Sequence, residues 1–331
     1  MLIQKNWQKY LIYALIFSSG IFFGYLLNPC ENLSEEEVIK NSEVNFKENF
    51  PHINPLKFCD SSDKNPINGK ISQMEKAVND LINNSGIEAA VYYRNLNNGP
   101  WFMINKDEIF YAQSLLKVPV AITYYHLAEQ NPSLLQSTIS YQGQHEEIRN
   151  IPKDDSIQSG QDYSIEELIV QMLVYSDNQA LHLLFDYLNM LGLSQKLEET
   201  NREISVESEN GEINIKKYSE MMRILYNSTY LNRESSERLL SILTHTSFKN
   251  GLVAGFPEGT EISHKFGVKE NSEENEEAQL HDCGIIYLST GEHLICVMTK
   301  GKNTQEQSSL IKKIARTIAQ EIMDENTKSK Q

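Results

Sequence analysis

The chain has 331 residues, 40% of them hydrophobic and 23% charged, which excludes collagen-like, low-complexity and wholly disordered proteins. Its 30 basic and 45 acidic residues leave a net charge of −15. That argues against a nucleic-acid partner, whose phosphates are neutralised by Lys and Arg. A mean hydropathy of −0.44 excludes a polytopic membrane protein but not a single span.

Residues 10–27 carry no charge. As a helix they would cover roughly 27 Å, close to the hydrocarbon thickness of a bilayer. Lys5 and Lys9 precede this run and Glu31, Glu35, Glu36 and Glu37 follow it. Basic residues on one side hold that side in the cytoplasm, so the bulk of the chain is expected outside the membrane. A cleaved signal peptide is the alternative, but no small-residue cleavage site follows, only Asn28-Pro29-Cys30. Lipidation at Cys30 would need smaller residues before it. The expected organisation is a cytoplasmic tail (1–9), a transmembrane anchor (10–27), a stalk (28–69), one folded domain (70–325) and a polar tail (326–331). Without Lys5 and Lys9 the outer part carries −17, which reads as solubility.

Pro51, Pro55 and Pro66 break up the stalk. From Ile71 onward Met74, Ala77, Val78, Leu81 and Ile82 recur at helical spacing, and Asn83-Asn84-Ser85-Gly86 ends the helix. Residues 88–93 and 101–104 read as strands around the turn Asn97-Asn98-Gly99. From 112 to about 246 the chain reads as mostly helical, with helices over 115–129, 165–175, 178–188 and 216–226. Strands return at 262–268, 283–288 and 293–299, and a helix over 310–323 closes the domain. Strands at both ends and helices between them predict an α+β fold, with one antiparallel sheet built from both chain ends. The run 269–277 reads as a solvated loop.

The cysteines Cys30, Cys59, Cys283 and Cys296 allow up to two bridges and three connectivities; free buried cysteines are an equal alternative. A turn at Thr290-Gly291 would pair Cys296 with Ile285, not with Cys283. No spacing suggests a metal site, and no motif calls for a cofactor.

Three short motifs carry chemistry. Ser114-Leu115-Leu116-Lys117 lies at a predicted helix start, where positions three apart share a face. A serine hydroxyl needs a base to become a nucleophile, and a lysine whose neutral form is favoured by burial supplies one. Pro119 is tolerated only in the first turn, which places that start near Ser114. Alone, this spacing also describes a surface Ser and Lys. Ser176-Asp177-Asn178 falls between two helices; its hydroxyl can pass a proton and its amide can hold a carbonyl, while Asp177 braces the loop. The plain alternative is a helix N-cap. His264-Lys265-Phe266-Gly267 lies on a strand, where Gly267 would let a ligand approach the backbone. Its plain alternative is an edge lysine that blocks aggregation.

Taken together and in this order, Ser-x-x-Lys, Ser-Asp-Asn and Lys-x-Gly resemble the signature of class A β-lactamases and related penicillin-binding serine enzymes, among them membrane-anchored β-lactamase-like serine hydrolases. The resemblance covers about residues 70–325. It implies a β-lactamase/transpeptidase-like fold and a nucleophile at Ser114 activated by Lys117. It further implies that Ser176 delivers the proton to the leaving nitrogen, Asn178 holds the substrate amide and Lys265 attracts a substrate carboxylate. Gly267 lies in the binding strand, and the N–H groups of Ser114 and Val268 form an oxyanion hole. The implied substrates are β-lactams or peptidoglycan peptides ending in D-Ala-D-Ala, handled by a monomeric extracytoplasmic domain; the alternatives are a D,D-peptidase and a non-catalytic binding module.

Two departures bear on turnover. The hydrolytic enzymes place their water-activating glutamate in Glu-x-x-Leu-Asn, and no such pentapeptide occurs here. The intervening segment carries Glu198, Glu199, Glu203, Glu207, Glu209 and Glu212, all expected as solvated residues of an acidic loop. Loss of a general base slows a reaction about 10²–10⁴-fold. Phe266 stands where the family has Thr or Ser, and is expected to turn toward the core. His264 is expected to be a buried structural histidine.

Overall fold

The computed structural model describes residues 46–54, 68–97, 99–206, 208, 210–271 and 277–328. The expected anchor, most of the stalk, Cys30, Cys59, Glu207 and Glu209 lie outside them. Among the described residues no helix is long and apolar enough to cross a membrane. Of the unit Met1–Asn49 only one helical turn, 46–49, is described. The remaining compact unit, Phe50–Gln331, carries all the motifs.

Both chain ends meet in one antiparallel sheet, as expected. Its strands are β1 (Glu88–Asn95), β2 (Trp101–Ile104), β7 (Glu261–Lys269), β8 (Ala278–Leu288) and β9 (Gly291–Gly301), in the order β2-β1-β9-β8-β7. One face packs on α1 (Asn68–Asn83) and α8 (Thr304–Lys328). Met74, Val78, Ile311, Ile314 and Ile318 of these helices meet Val91, Leu280, Ile295 and Val297 of the sheet in one buried cluster. Helices α2 (Lys117–Gln130), α3 (Ile165–Val174), α4 (Asn178–Met190), α5 (Gln195–Glu203), α6 (Ile215–Tyr226) and α7 (Arg233–Thr244) form the block between the strands. Its contacts to the sheet run through α6 and α7.

Two small antiparallel pairs bring strands into the block that reads as helical: β3 (Ile109–Tyr111), which just precedes the block, pairs with β6 (Glu212–Asn214), and β4 (Thr138–Tyr141) pairs with β5 (Gln161–Ser164). Helix α5 is a second difference. Glu198, Glu199 and Glu203 sit on a helix, not in an acidic loop.

The β8–β9 hairpin turns one residue earlier than expected. Leu288 pairs with Gly291, so Ser289 and Thr290 form the turn and every pairing shifts by two. Cys283 and Cys296 then face each other and form a disulfide.

Candidate active site

Ser114 sits in a 3₁₀ turn, Gln113–Leu116, that runs straight into α2. Pro119 falls in the first turn of α2, where its missing N–H costs no helix bond. Gln113, just before the serine, has φ +52°, a conformation that side chains rarely adopt. The turn is pressed against β7. A Cβ on Gly267 would lie 2.8 Å from Ala112 O and 3.3 Å from Leu115 Cγ. Glycine is therefore required here by the chain's own approach to itself, where room for a ligand was expected.

Ser176-Asp177-Asn178 links α3 to α4. Asp177 is the N-cap of α4, accepting from Gln179 N at 2.8 Å. Its other carboxylate oxygen accepts from Ser156 Oγ at 2.8 Å and Ile157 N at 3.1 Å. Asp177 thus caps a helix and braces the loop. Ser176 has φ +62°. Its carbonyl accepts from Asn150 Nδ2 at 2.9 Å, and Asn150 Oδ1 accepts from Asn178 N at 2.9 Å. One side-chain amide therefore holds both flanks of the turn, which balances backbone strain of about 1–3 kcal/mol. Asn150 carried no signal in the sequence, since its partners are 26 and 28 residues away.

Two lysines converge on this turn. Lys117 Nζ donates to Ser176 O at 2.5 Å, Ser176 Oγ at 3.2 Å and Asn178 Oδ1 at 2.8 Å. Lys265 Nζ donates to Ser176 Oγ at 3.0 Å and Phe266 O at 3.1 Å. Burial pushes Lys117 down to about 7, partly opposed by the charge of Asp177. Lys265 is fully buried and is pushed well below the usual lysine range by burial, then by the charge of Lys117. A lysine poised near neutrality can accept a proton.

Ser114, Lys117, Ser176, Asn178 and Val268 line one cleft of about 650 Å³. Phe266 lines it too, contrary to expectation. Its ring stacks on Phe248 at 4.8 Å between centroids and lies 4.2 Å from Lys265 Nζ. His264 is buried, as expected, and pairs with Asp282.

The wall supplied by α5 is Leu197 and Asn201. They stand four apart and therefore share a helix face. Set against Glu-x-x-Leu-Asn, Leu197-Glu198-Glu199-Thr200-Asn201 shares the asparagine alone, with leucine in the first place and threonine in the fourth. Glu198 and Glu212 line a neighbouring groove instead. Among the described residues Glu270 is the one carboxylate lining the cleft, and Thr304 Oγ1 donates to it at 3.0 Å. Among the described residues no group of three or more His, Cys, Asp or Glu side chains could hold a metal ion.

The sequence pattern of the beta-lactamase enzyme family matches residues 73–322. No curated protein sequence matches the chain. Similar solved structures include a class A beta-lactamase from Bacteroides cellulosilyticus, with 16% identity over 76% of this chain and 98% of that one, at a TM-score of 0.68. A beta-lactamase from Chitinophaga pinensis shares 20% identity over 75% and 98% of the two chains, with a TM-score of 0.63. A variant of PBP-A, solved as an acyl-enzyme complex with penicillin G, shares 20% identity over 77% and 97%, with a TM-score of 0.64.

Proposed function

Because the chain belongs to the beta-lactamase enzyme family, we propose that it is a serine acyl-transfer enzyme, acylated at Ser114 by β-lactams and by peptides ending in D-Ala-D-Ala, and that it releases the acyl group slowly. The convergence of Lys117 and Lys265 on Ser176 Oγ, in the cleft that Ser114 lines, carries this reading.

Neutral Lys117 takes the Ser114 proton as Oγ attacks the carbonyl carbon. Charge develops on the carbonyl oxygen, which the backbone N–H groups of Ser114 and Val268 receive; one such donor is worth about 10²–10³ in rate. Ser176 passes a proton to the departing nitrogen, and Lys265 holds Ser176 oriented and attracts the substrate carboxylate. Asn178 already accepts from Lys117 through Oδ1, so its Nδ2 is the end that donates to a substrate carbonyl. The C–N bond breaks and the acyl group stays on Ser114.

Water must then attack the ester. Leu197 offers that water no base, which supports a penicillin-binding, D,D-peptidase-like enzyme over an efficient β-lactamase. The Cys283–Cys296 disulfide suits an oxidising compartment, which supports an outward-facing domain held to the membrane by residues 10–27.

Intact mass after incubation with penicillin G tests the reading. A persistent adduct of penicillin mass is expected, and none on Ser114→Ala. Rapid loss of the β-lactam with no accumulated adduct would make the protein an efficient β-lactamase. No adduct and no hydrolysis would leave a non-catalytic binding module.

A further inference from the structure

A second cavity of about 630 Å³ adjoins the cleft, and Phe266, Val268 and Glu270 line both. The reason lies in β7, the edge strand of the sheet, which pairs with β8 on one side only. Successive side chains of a strand point to opposite faces. Ser263 Oγ donates to Leu240 O of α7, whereas Ile262 belongs to the cluster under α1 and α8. Lys265 therefore shares the face of Ser263, toward the helical block, and Phe266 and Val268 share that of Ile262, toward α8. The second cavity lies on this latter side. Leu280, opposite Val268 on β8, lines it together with the first turns of α8.

The cavity has an apolar floor, where Phe248, Ala254 and Leu280 meet Phe266 and Val268. Leu280 is buried, but Val268 is 38% exposed. Polar groups of the rim engage one another. Thr304 Oγ1 donates to Glu270 at 3.0 and 3.2 Å, and Ser308 Oγ donates to Asn250 O at 2.9 Å. At the wall shared with the cleft, a guest thus meets the hydrocarbon of Phe266 and Val268, while Glu270 repels an anion. Cavities of this size with apolar walls and a few polar groups are the usual seats of small ligand groups.

Two contacts hold the Phe266 ring. Phe248 stacks on it with 25° between the planes, and Lys265 Nζ lies 4.2 Å from its centroid. The second contact decides what the ring can touch. A carboxylate drawn to Lys265 lies beside this ring, and the carbon that bears the carboxylate also bears the side chain of the leaving residue. That side chain is then within reach of Phe266 and of the cavity beyond it. A methyl group leaves most of this space empty; a branched apolar group fills more of it.

We propose that Phe266, backed by Phe248, is a specificity-determining residue that favours a bulky apolar side chain on the departing D-amino acid, received by the cavity between β7 and α8. The proposal rests on Ser114 acylation as the reaction. The serine oxygen bonds to the acyl carbon, the C–N bond breaks, and the D-amino acid leaves as its amine with the proton passed by Ser176. The phenyl group then has a use of its own in place of the hydroxyl that Thr or Ser carries there.

The test compares the second-order rates at which acetyl-L-Ala-D-Ala-D-Ala and acetyl-L-Ala-D-Ala-D-Leu release their last residue, with the full chain and with Phe266→Thr. Wild type is expected to favour D-Leu by about tenfold or more, the least that one extra methylene is worth in an apolar pocket. In Phe266→Thr that preference is expected to vanish, whatever happens to the two rates together. A wild-type ratio near one, or a preference that survives Phe266→Thr, would overturn the proposal. Ala254→Phe, which adds a ring to the cavity floor, gives a second reading: the preference is expected to collapse, and its persistence would also overturn the proposal. Calorimetric binding of both peptides to Ser114→Ala separates the subsite from the reaction. If wild type releases neither residue but Ser114→Ala binds the D-Leu peptide about tenfold more tightly, the subsite stands and Ser114 chemistry falls. Equal affinities would overturn the subsite itself.

Discussion

Lys117 and Lys265 place their nitrogens 3.2 and 3.0 Å from a single oxygen, Ser176 Oγ. Two ammonium groups this close in a buried site repel each other, so full protonation of both is disfavoured. Burial holds both below the usual lysine range, Lys117 at about 7 and Lys265 well below its ordinary value.

The proton on Lys117 has a pH signature. Below pH 7 Lys117 is protonated and cannot take the Ser114 proton; above it the neutral form dominates, because burial has lowered it to about 7. The acylation rate is therefore expected to rise through about pH 7. Stopped-flow rates with a chromogenic cephalosporin would check this, and a flat profile from pH 6 to 8 would count against Lys117 as the base.

Asn150 holds Ser176 O and Asn178 N at once. Asn150→Ala removes both bonds, each worth about 1 kcal/mol. Ser176, at φ +62°, then has less to keep it in place. Acylation is expected to slow about tenfold or more while the thermal midpoint falls by only a few degrees. Equal loss of fold and of rate would reduce Asn150 to a structural residue.

Gly267→Ala would put a methyl 2.8 Å from Ala112 O. Backbone cannot yield there without moving the turn that carries Ser114. Acylation is expected to drop by at least tenfold, and a crystal structure of the variant should show the Gln113–Leu116 turn displaced from β7.

The Cys283–Cys296 bridge spans 13 positions of one hairpin. Closing a loop of about that length restricts the unfolded chain by about 3 kcal/mol. Cys296→Ser is expected to lower unfolding stability by up to that amount in urea titrations, with acylation at 25 °C retained.

Much of this was legible in the sequence, for definite reasons. Strands 88–95 and 291–301 show the β-rich runs, and the helices around them the apolar spacing, that place both chain ends in one sheet. The three motifs are local, so their spacing survives in one dimension. What escaped was set elsewhere. The hairpin register depends on Ser289-Thr290, a turn without the glycine or asparagine that marks most two-residue turns; Gly291 drew the expectation one residue late. Helix α5 carries one apolar residue, Leu197, so no periodicity announces it. Asn150 owes its role to partners far along the chain. Phe266 was expected in the core because phenylalanine usually is; instead its ring forms cleft wall against Phe248.

The lifetime of the penicillin G acyl-enzyme in Leu197→Glu against wild type tests the account most directly. A carboxylate placed beside Asn201 would put a base on the α5 wall of the cleft, where Leu197 offers none. The account predicts an adduct that persists in wild type and decays at least about tenfold faster in Leu197→Glu. A wild-type adduct that clears within seconds would contradict it, and would point to Glu207 or Glu209, which flank the cleft residue Ser208 in the sequence. An unchanged lifetime in the variant would contradict the placement of Leu197.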